Sequence, residues 1–185
     1  MAKKWKTLIT TDNAVESFEI LYAKYRFLEA GFHPVIVASK KKTLNSVIHD
    51  SCPVWNTYIE KRGYLIDVDK AIADIKAKDF DARLSTGERA PEFLRHNSKL
   101  IKQFNKKWKW LFTICHSIQV FLAAGLGANR RMTCYKNVHF EVAQARGPTG
   151  QSTQRRGWKL GQRPTPGKPC GFLPRHLRPA QTQGA

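Results

Sequence analysis

The 185-residue sequence predicts a three-layer α/β domain with a mostly parallel sheet, followed by a basic tail. Three observations lead there. Short apolar runs of strand length alternate with segments of helical period. Composition changes abruptly near residue 146. One apolar strand ends in a cysteine at the point where an apolar helix begins.

The elements follow in order. Residues 5–10 (WKTLIT) read as a short strand. Residues 13–30 place Phe18, Leu21, Tyr22, Tyr25 and Leu28 at helical spacing and end at Gly31, a good C-terminal cap. Residues 35–38 are an apolar run of strand length, followed by the basic turn Lys40, Lys41 and Lys42. Residues 43–68 show no clear period and read as short strands and turns. A helical turn is expected over 69–75 and a strand over 80–85. Pro91 suits a helix start, with Phe93, Leu94, Leu100, Ile101 and Phe104 forming one face. Residues 111–115 form the next apolar strand and 116–124 the next helix, and 132–135 and 138–145 read as one more strand and helix. In such a sheet, chemistry belongs at the carboxyl ends of the strands.

The last 39 residues hold seven of the 32 basic residues and none of the 14 acidic ones. They also hold seven of the 12 glycines and six of the nine prolines, with no periodic apolar run, so no core can form there. Residues 1–146 are therefore expected to be the domain and 147–185 a disordered tail. No run approaches the ~20 apolar residues of a membrane span, and no secretory signal is visible. Cys52, Cys115, Cys134 and Cys170 lie too far apart for a paired metal or dithiol motif, which favours a reducing, cytoplasmic setting. The net charge of +18 raises the question of nucleic acid. Trp108, Trp110 and Phe112 among Lys106, Lys107 and Lys109 read rather as a basic loop entering a buried strand than as a stacking platform.

Cys115 stands where a side chain projects from a strand's end and helical N–H groups are free to meet a thiolate or an oxyanion. His116, next in sequence, is placed to move protons. Taken alone, a cysteine there is more often a small buried residue. Asn13 and Glu16 have the spacing of a helix capping box, so Glu16 has a purely structural reading too. Glu92 falls in a first helical turn, where any acid suits the dipole. His49, His96 and His139 have no metal-ligand spacing and read as solvated or satisfied.

The segments WKTLIT, VESFE, DFDARLSTGERAPEFLR, FTICHSIQVFLAAGL and RRMTCY, in this order and spacing, resemble the DJ/PfpI superfamily of intracellular cysteine hydrolases, nearest its PfpI branch. The resemblance spans about residues 5–146. It implies a class I glutamine-amidotransferase-like, flavodoxin-like fold and a homo-oligomer, with no metal or organic cofactor. It implies a peptidase, amidase or deglycase/glyoxalase activity on peptide or carbonyl-adduct substrates. By the same resemblance Cys115 matches the nucleophile, and Glu16 the acid that hydrogen-bonds it. His116 matches the histidine following the cysteine, and Glu92 a glutamate that orients this histidine from a neighbouring subunit. The N–H groups of Glu88 and His116 match the oxyanion hole. Four positions depart from the family: Glu88 for a glycine, Ser117 for a glycine, Thr86 for a proline, and Arg83 inside a buried strand. The tail also lacks the family's closing strand segment and helix. The alternative the residues leave open is a redox-sensing, stress- or chaperone-like oligomer in which Cys115 is oxidised reversibly. A nucleic-acid-binding role for the tail ranks behind both.

Overall fold

The computed structural model describes residues 5–98, 100–102, 110–128, 130, 132 and 134–145. The expected tail over 147–185 lies outside the described residues. Five strands form one parallel sheet: β1 (Lys6–Thr10), β2 (His33–Ala38), β5 (Lys70–Ala71), β6 (Ala82–Ser85) and β7 (Trp110–Thr113), in the order β5-β2-β1-β6-β7. Leu8 pairs with Val35 on one side and Arg83 on the other, and Leu84 pairs with Phe112.

Side-chain alternation along these strands builds two cores, one on each face of the sheet. Leu8, Val35, Val37 and Leu111 join Ile118, Phe121 and Val142 on one face. Ile9, Ile36, Ala38, Leu84 and Phe112 join Ile20, Ala23 and Phe27 on the other. Each such fully buried large side chain contributes about 1.5–3 kcal/mol relative to exposure. The second core is covered by helix α1 (Ser17–Glu29), which ends at Gly31, where φ is +76°. Helices α2 (Ala90–Leu94), α3 (Ile118–Ala123) and α4 (His139–Gln144) pack on the first. The outer face of α1 leaves Phe18, Tyr22 and Tyr25 exposed.

Three expectations are corrected. Residues 43–68 are not irregular but form a long antiparallel hairpin, β3 (Thr43–Ser51) and β4 (Tyr58–Asp67). Most of its side chains are exposed or half-buried on both faces, so no alternation marks it in sequence. The helical turn expected over 69–75 is present but confined to a 3-10 turn, Ile72–Asp74, and the edge strand β5 precedes it. The strand expected over 132–135 reduces, among the described residues, to a single bridge at Met132 before the turn Lys136–Val138.

The hairpin is fastened to the loop that follows β1. The Val47 N–H donates to the Val15 carbonyl (2.8 Å) and the Ala14 N–H to the Asn45 carbonyl (2.8 Å). The Ser17 and Ser46 hydroxyls meet at 2.7 Å. A Cβ on Gly63 would lie 2.2 Å from the Ser17 hydroxyl, so only glycine allows β4 to approach α1 this closely. This anchoring carries His49 and Tyr58 toward the carboxyl ends of β1, β6 and β7.

The departures in and around β6 are accommodated. Arg83 is buried, donates from Nε to the Thr10 hydroxyl (3.1 Å), and is pushed down to about 9 by burial. It lines a small cavity with Ser85, Thr113 and Ser117. Thr86 donates to the Thr11 hydroxyl at 2.9 Å.

Candidate active site

The chain leaves β1 toward β2 on one side and returns to β6 on the other, so a crevice opens at the carboxyl end of β1. Three connections meet there: Asp12–Glu16 after β1, Thr86–Arg89 after β6, and Ile114–Ser117 after β7. Cys115 sits on the last, at φ +55°, a conformation that costs a side-chain-bearing residue about 1–2 kcal/mol. The turn around it is closed from both ends. The Ser117 N–H donates to the Ile114 carbonyl (2.9 Å), and the Ile114 N–H donates to the Ser117 hydroxyl (2.6 Å). Ser117 is buried and used here, which explains how the turn accepts it in place of glycine. A 3-10 turn, Cys115–Ser117, then leads into α3.

Gly87 and Glu88 flank the cysteine from β6. A Cβ on Gly87 would lie 2.5 Å from the Cys115 Cβ and 2.9 Å from the Ile114 carbonyl, so this position has to be glycine. Glu88 adopts φ +53°, left-handed like Cys115 and like Ala14 (φ +57°) in the connection after β1. The backbone N–H groups of Glu88 and His116 both point at the Cys115 sulfur. His116 Nδ1 lies 3.2 Å from the same atom.

The acid beside the cysteine is Glu19, not Glu16. Glu16 is the N-cap of α1, where its Oε2 accepts from the Glu19 N–H at 2.8 Å. Glu19, one turn further on, accepts from the Gly87 N–H at 2.6 Å and hydrogen-bonds Cys115. Burial pushes the Glu19 carboxyl up to about 8, with the Gly87 N–H opposing and the charges of Glu16 and Glu88 reinforcing the rise. Glu19 is thus protonated at neutral pH.

Burial also raises the Cys115 thiol, and charge on Glu19, once it ionises, and on Glu88 raises it further against the two N–H donors. The expected thiolate stabilisation by the turn's N–H groups is outweighed by burial and by the neighbouring carboxyl groups. Burial lowers His116, while the charges of Glu141 and Glu92 partly restore it. The resting pair is therefore a neutral thiol facing a neutral imidazole.

The hairpin adds residues whose spacing in the sequence carries no signal of a site. His49 is no bystander: its Nδ1 lies 3.4 Å from Glu88 Oε1 and 3.9 Å from Glu16 Oε1. Tyr58 packs on the His49 ring (4.8 Å between centroids), and Tyr135 packs on His116 (4.9 Å). Glu92 lies exposed in the first turn of α2 and touches the site only through its charge on His116. Glu141, bonded to Gln119 at 3.0 Å, acts more strongly on that ring. Among the described residues no group of three His, Cys, Asp or Glu side chains is arranged to hold a metal ion. Nor, among them, is any helix long and apolar enough to cross a membrane.

A protonated Glu19 has a consequence for stability. Between the usual carboxyl range and about pH 8 the folded chain keeps a proton that the unfolded chain releases. Stability should therefore fall as pH rises through this window, by up to about 1.4 kcal/mol per unit from this group. In Glu19→Gln that slope should disappear, a difference that urea unfolding at pH 5, 6.5 and 8 would show.

Comparison with known proteins gives consistent matches. The sequence profile described as the DJ-1/PfpI family matches residues 5–152. A deglycase of Pyrococcus abyssi is 31% identical over 143 residues, covering 76% of this chain and 78% of that protein. Deglycase PfpI of Pyrococcus furiosus is 30% identical over the same shares. YraA of Bacillus subtilis, named as a candidate cysteine protease, is 29% identical over 78% of this chain and 79% of its own. Among solved structures, DJ-1beta of Drosophila melanogaster superposes with a TM-score of 0.71 at 14% identity, covering 85% of this chain and 80% of that one. That last likeness concerns the fold alone.

Proposed function

The chain belongs to the DJ-1/PfpI family, and from that premise we propose that it is a cysteine-dependent hydrolase of amide bonds or carbonyl adducts, with Cys115 as nucleophile. One observation carries this reading: Cys115 is held at φ +55° with two backbone N–H groups and a histidine nitrogen converging on its sulfur. Backbone strain of this kind persists where surrounding structure over-determines it, and it concentrates at functional sites. Relatives named deglycase and candidate cysteine protease support the same class.

The steps follow from the geometry. The Cys115 sulfur bonds to the carbonyl carbon as its proton passes to His116 Nδ1. The carbonyl electron pair moves to oxygen, where the N–H groups of Glu88 and His116 receive it. Collapse expels the leaving amine, which takes the proton from His116. Water, deprotonated by His116, then attacks the thioester and returns the thiol. Protonated Glu19 donates to the sulfur as it gains charge. The redox alternative depends on a standing thiolate, and the buried, anion-flanked Cys115 works against one.

Acid quenching of the protein during turnover of p-nitrophenyl acetate, followed by intact mass and peptide mapping, tests the reading. The expected product is an acetyl thioester on Cys115, absent from Cys115→Ala. Hydrolysis that persists in Cys115→Ala at an unchanged rate would overturn it. Turnover should also depend on pH with a definite sign. It should rise through a pKa below 6.5, where His116 becomes a free base, and His116→Gln should lose this limb together with about 100-fold in rate.

A further inference from the structure

His116 needs more than its contact with the thiol. Its Nδ1 lies 3.2 Å from the Cys115 sulfur, so it accepts the thiol proton only in the tautomer that already carries a proton on Nε2. The transfer turns a half-buried ring into an imidazolium. Tyr135 covers that ring at 4.9 Å between centroids, and Tyr58 meets it edge-on at 6.4 Å. Burial disfavours the new charge, and so does a protonated His49 on the hairpin. An opposing carboxylate is what makes such a transfer favourable.

Two carboxylates act on the ring by charge, Glu141 on α4 and Glu92 on α2. They are held differently. Glu92 is exposed in the first turn of its short helix. Glu141 is half-buried, and its Oε1 accepts from the Gln119 amide at 3.0 Å. Gln119 follows His116 by three residues, a spacing that makes neighbours along a helical turn. The amide thus ties a carboxylate of α4 to the element that carries the histidine. Tyr135, for its part, leads through the turn Lys136–Val138 into the same helix. One short stretch, residues 135–141, therefore supplies both the ring that covers the imidazole and the acid whose charge reaches it. We infer that Glu141, fixed by Gln119, is the positioning acid of His116, so that proton transfer from Cys115 does not require Glu92 from a neighbouring subunit. This role belongs to the hydrolase reading and rests on it.

Titration of the His116 ring followed by NMR tests the role without requiring turnover. In Glu141→Gln its pKa should fall by about half a unit, because the charge that favours the imidazolium is gone. Glu141→Asp should restore the value, and Glu92→Gln should move it less than Glu141→Gln does. Alkylation of Cys115 by iodoacetamide, with Cys52, Cys134 and Cys170 replaced by serine, gives a second readout. Above the His116 pKa its rate should drop about fivefold in Glu141→Gln, and the parent rate should not change when the protein is strongly diluted. The inference is overturned by a His116 pKa unmoved in Glu141→Gln, by one moved as far in Glu92→Gln, by a loss that Glu141→Asp does not restore, or by a parent rate that falls on dilution. A Glu141-dependent His116 without an acyl-enzyme on Cys115 would sink the hydrolase reading alone. An acyl-enzyme beside a His116 indifferent to Glu141 would sink this inference alone.

Discussion

Replacing Glu88 by glycine is expected to stabilise the domain by about 2 kcal/mol, an unusual outcome for a substitution beside a nucleophile. Two costs disappear together. The residue occupies φ +53°, where glycine is unstrained and any Cβ is not. Its carboxyl is buried, which raises its pKa, and its oxygens take no full hydrogen bond among the described residues, with His49 Nδ1 at 3.4 Å. The gain is reduced by the extra unfolded-chain entropy of glycine, roughly 0.5–1 kcal/mol. The same change removes the Glu88 charge, which raises the Cys115 thiol. Alkylation by neutral iodoacetamide at pH 7 should then speed up by about tenfold. Urea unfolding and the alkylation rate check both halves. A less stable variant with an unchanged thiol would mean that Glu88 has partners the folded chain does supply.

One residue earlier, the opposite result is expected. Gly87→Ala should destabilise the domain by about 2 kcal/mol and reduce turnover at least 100-fold. The added methyl would meet the Cys115 Cβ at 2.5 Å, Glu19 Oε2 at 2.8 Å and the Ile114 carbonyl at 2.9 Å. The carboxylate can swing aside, but the other two atoms belong to the strained turn and cannot. Relief requires moving the cysteine away from the N–H groups that converge on it, and breaking the bond from the Gly87 N–H to Glu19. Unfolding and steady-state rates measured on the same preparation test this. A variant as stable and as active as the parent would show that the turn is looser than its geometry indicates.

The contrast between these neighbours bears on what the sequence could disclose. The cysteine turn was legible because it combines two local signals, an apolar strand run over 111–114 and an apolar helix after it. The strained conformations were only half legible: a glycine missing at position 88 hinted at φ > 0, and the structure confirms the angle. Choosing between Glu16 and Glu19 was a matter of helix phase. The capping box at Asn13 would start the helix three residues early and make Glu16 the third residue of its first turn. Asn13 instead accepts from the Asn45 N–H at 3.0 Å, Glu16 becomes the cap, and Glu19 takes the place facing Gly87. That outcome depends on β3, 32 residues away in sequence. His49 and Tyr58 were hidden for the same reason. They reach the site through a hairpin whose exposed faces carry no periodic pattern, and whose seat on α1 is fixed by Gly63 and paired serines rather than by apolar side chains.

The proposed chemistry depends on a neutral thiol activated by a neutral imidazole and supported by a protonated acid. Its most direct test is the pH dependence of Cys115 alkylation by iodoacetamide between pH 5 and 9.5, with the other three cysteines replaced by serine. The rate should rise through a pKa below 6.5 as His116 becomes a base, and fall again near pH 8 as Glu19 ionises beside the sulfur. Glu19→Gln should abolish the fall and leave the rise. A single monotonic rise at the free-thiol value of about 8.5, the same in both proteins, would contradict the account.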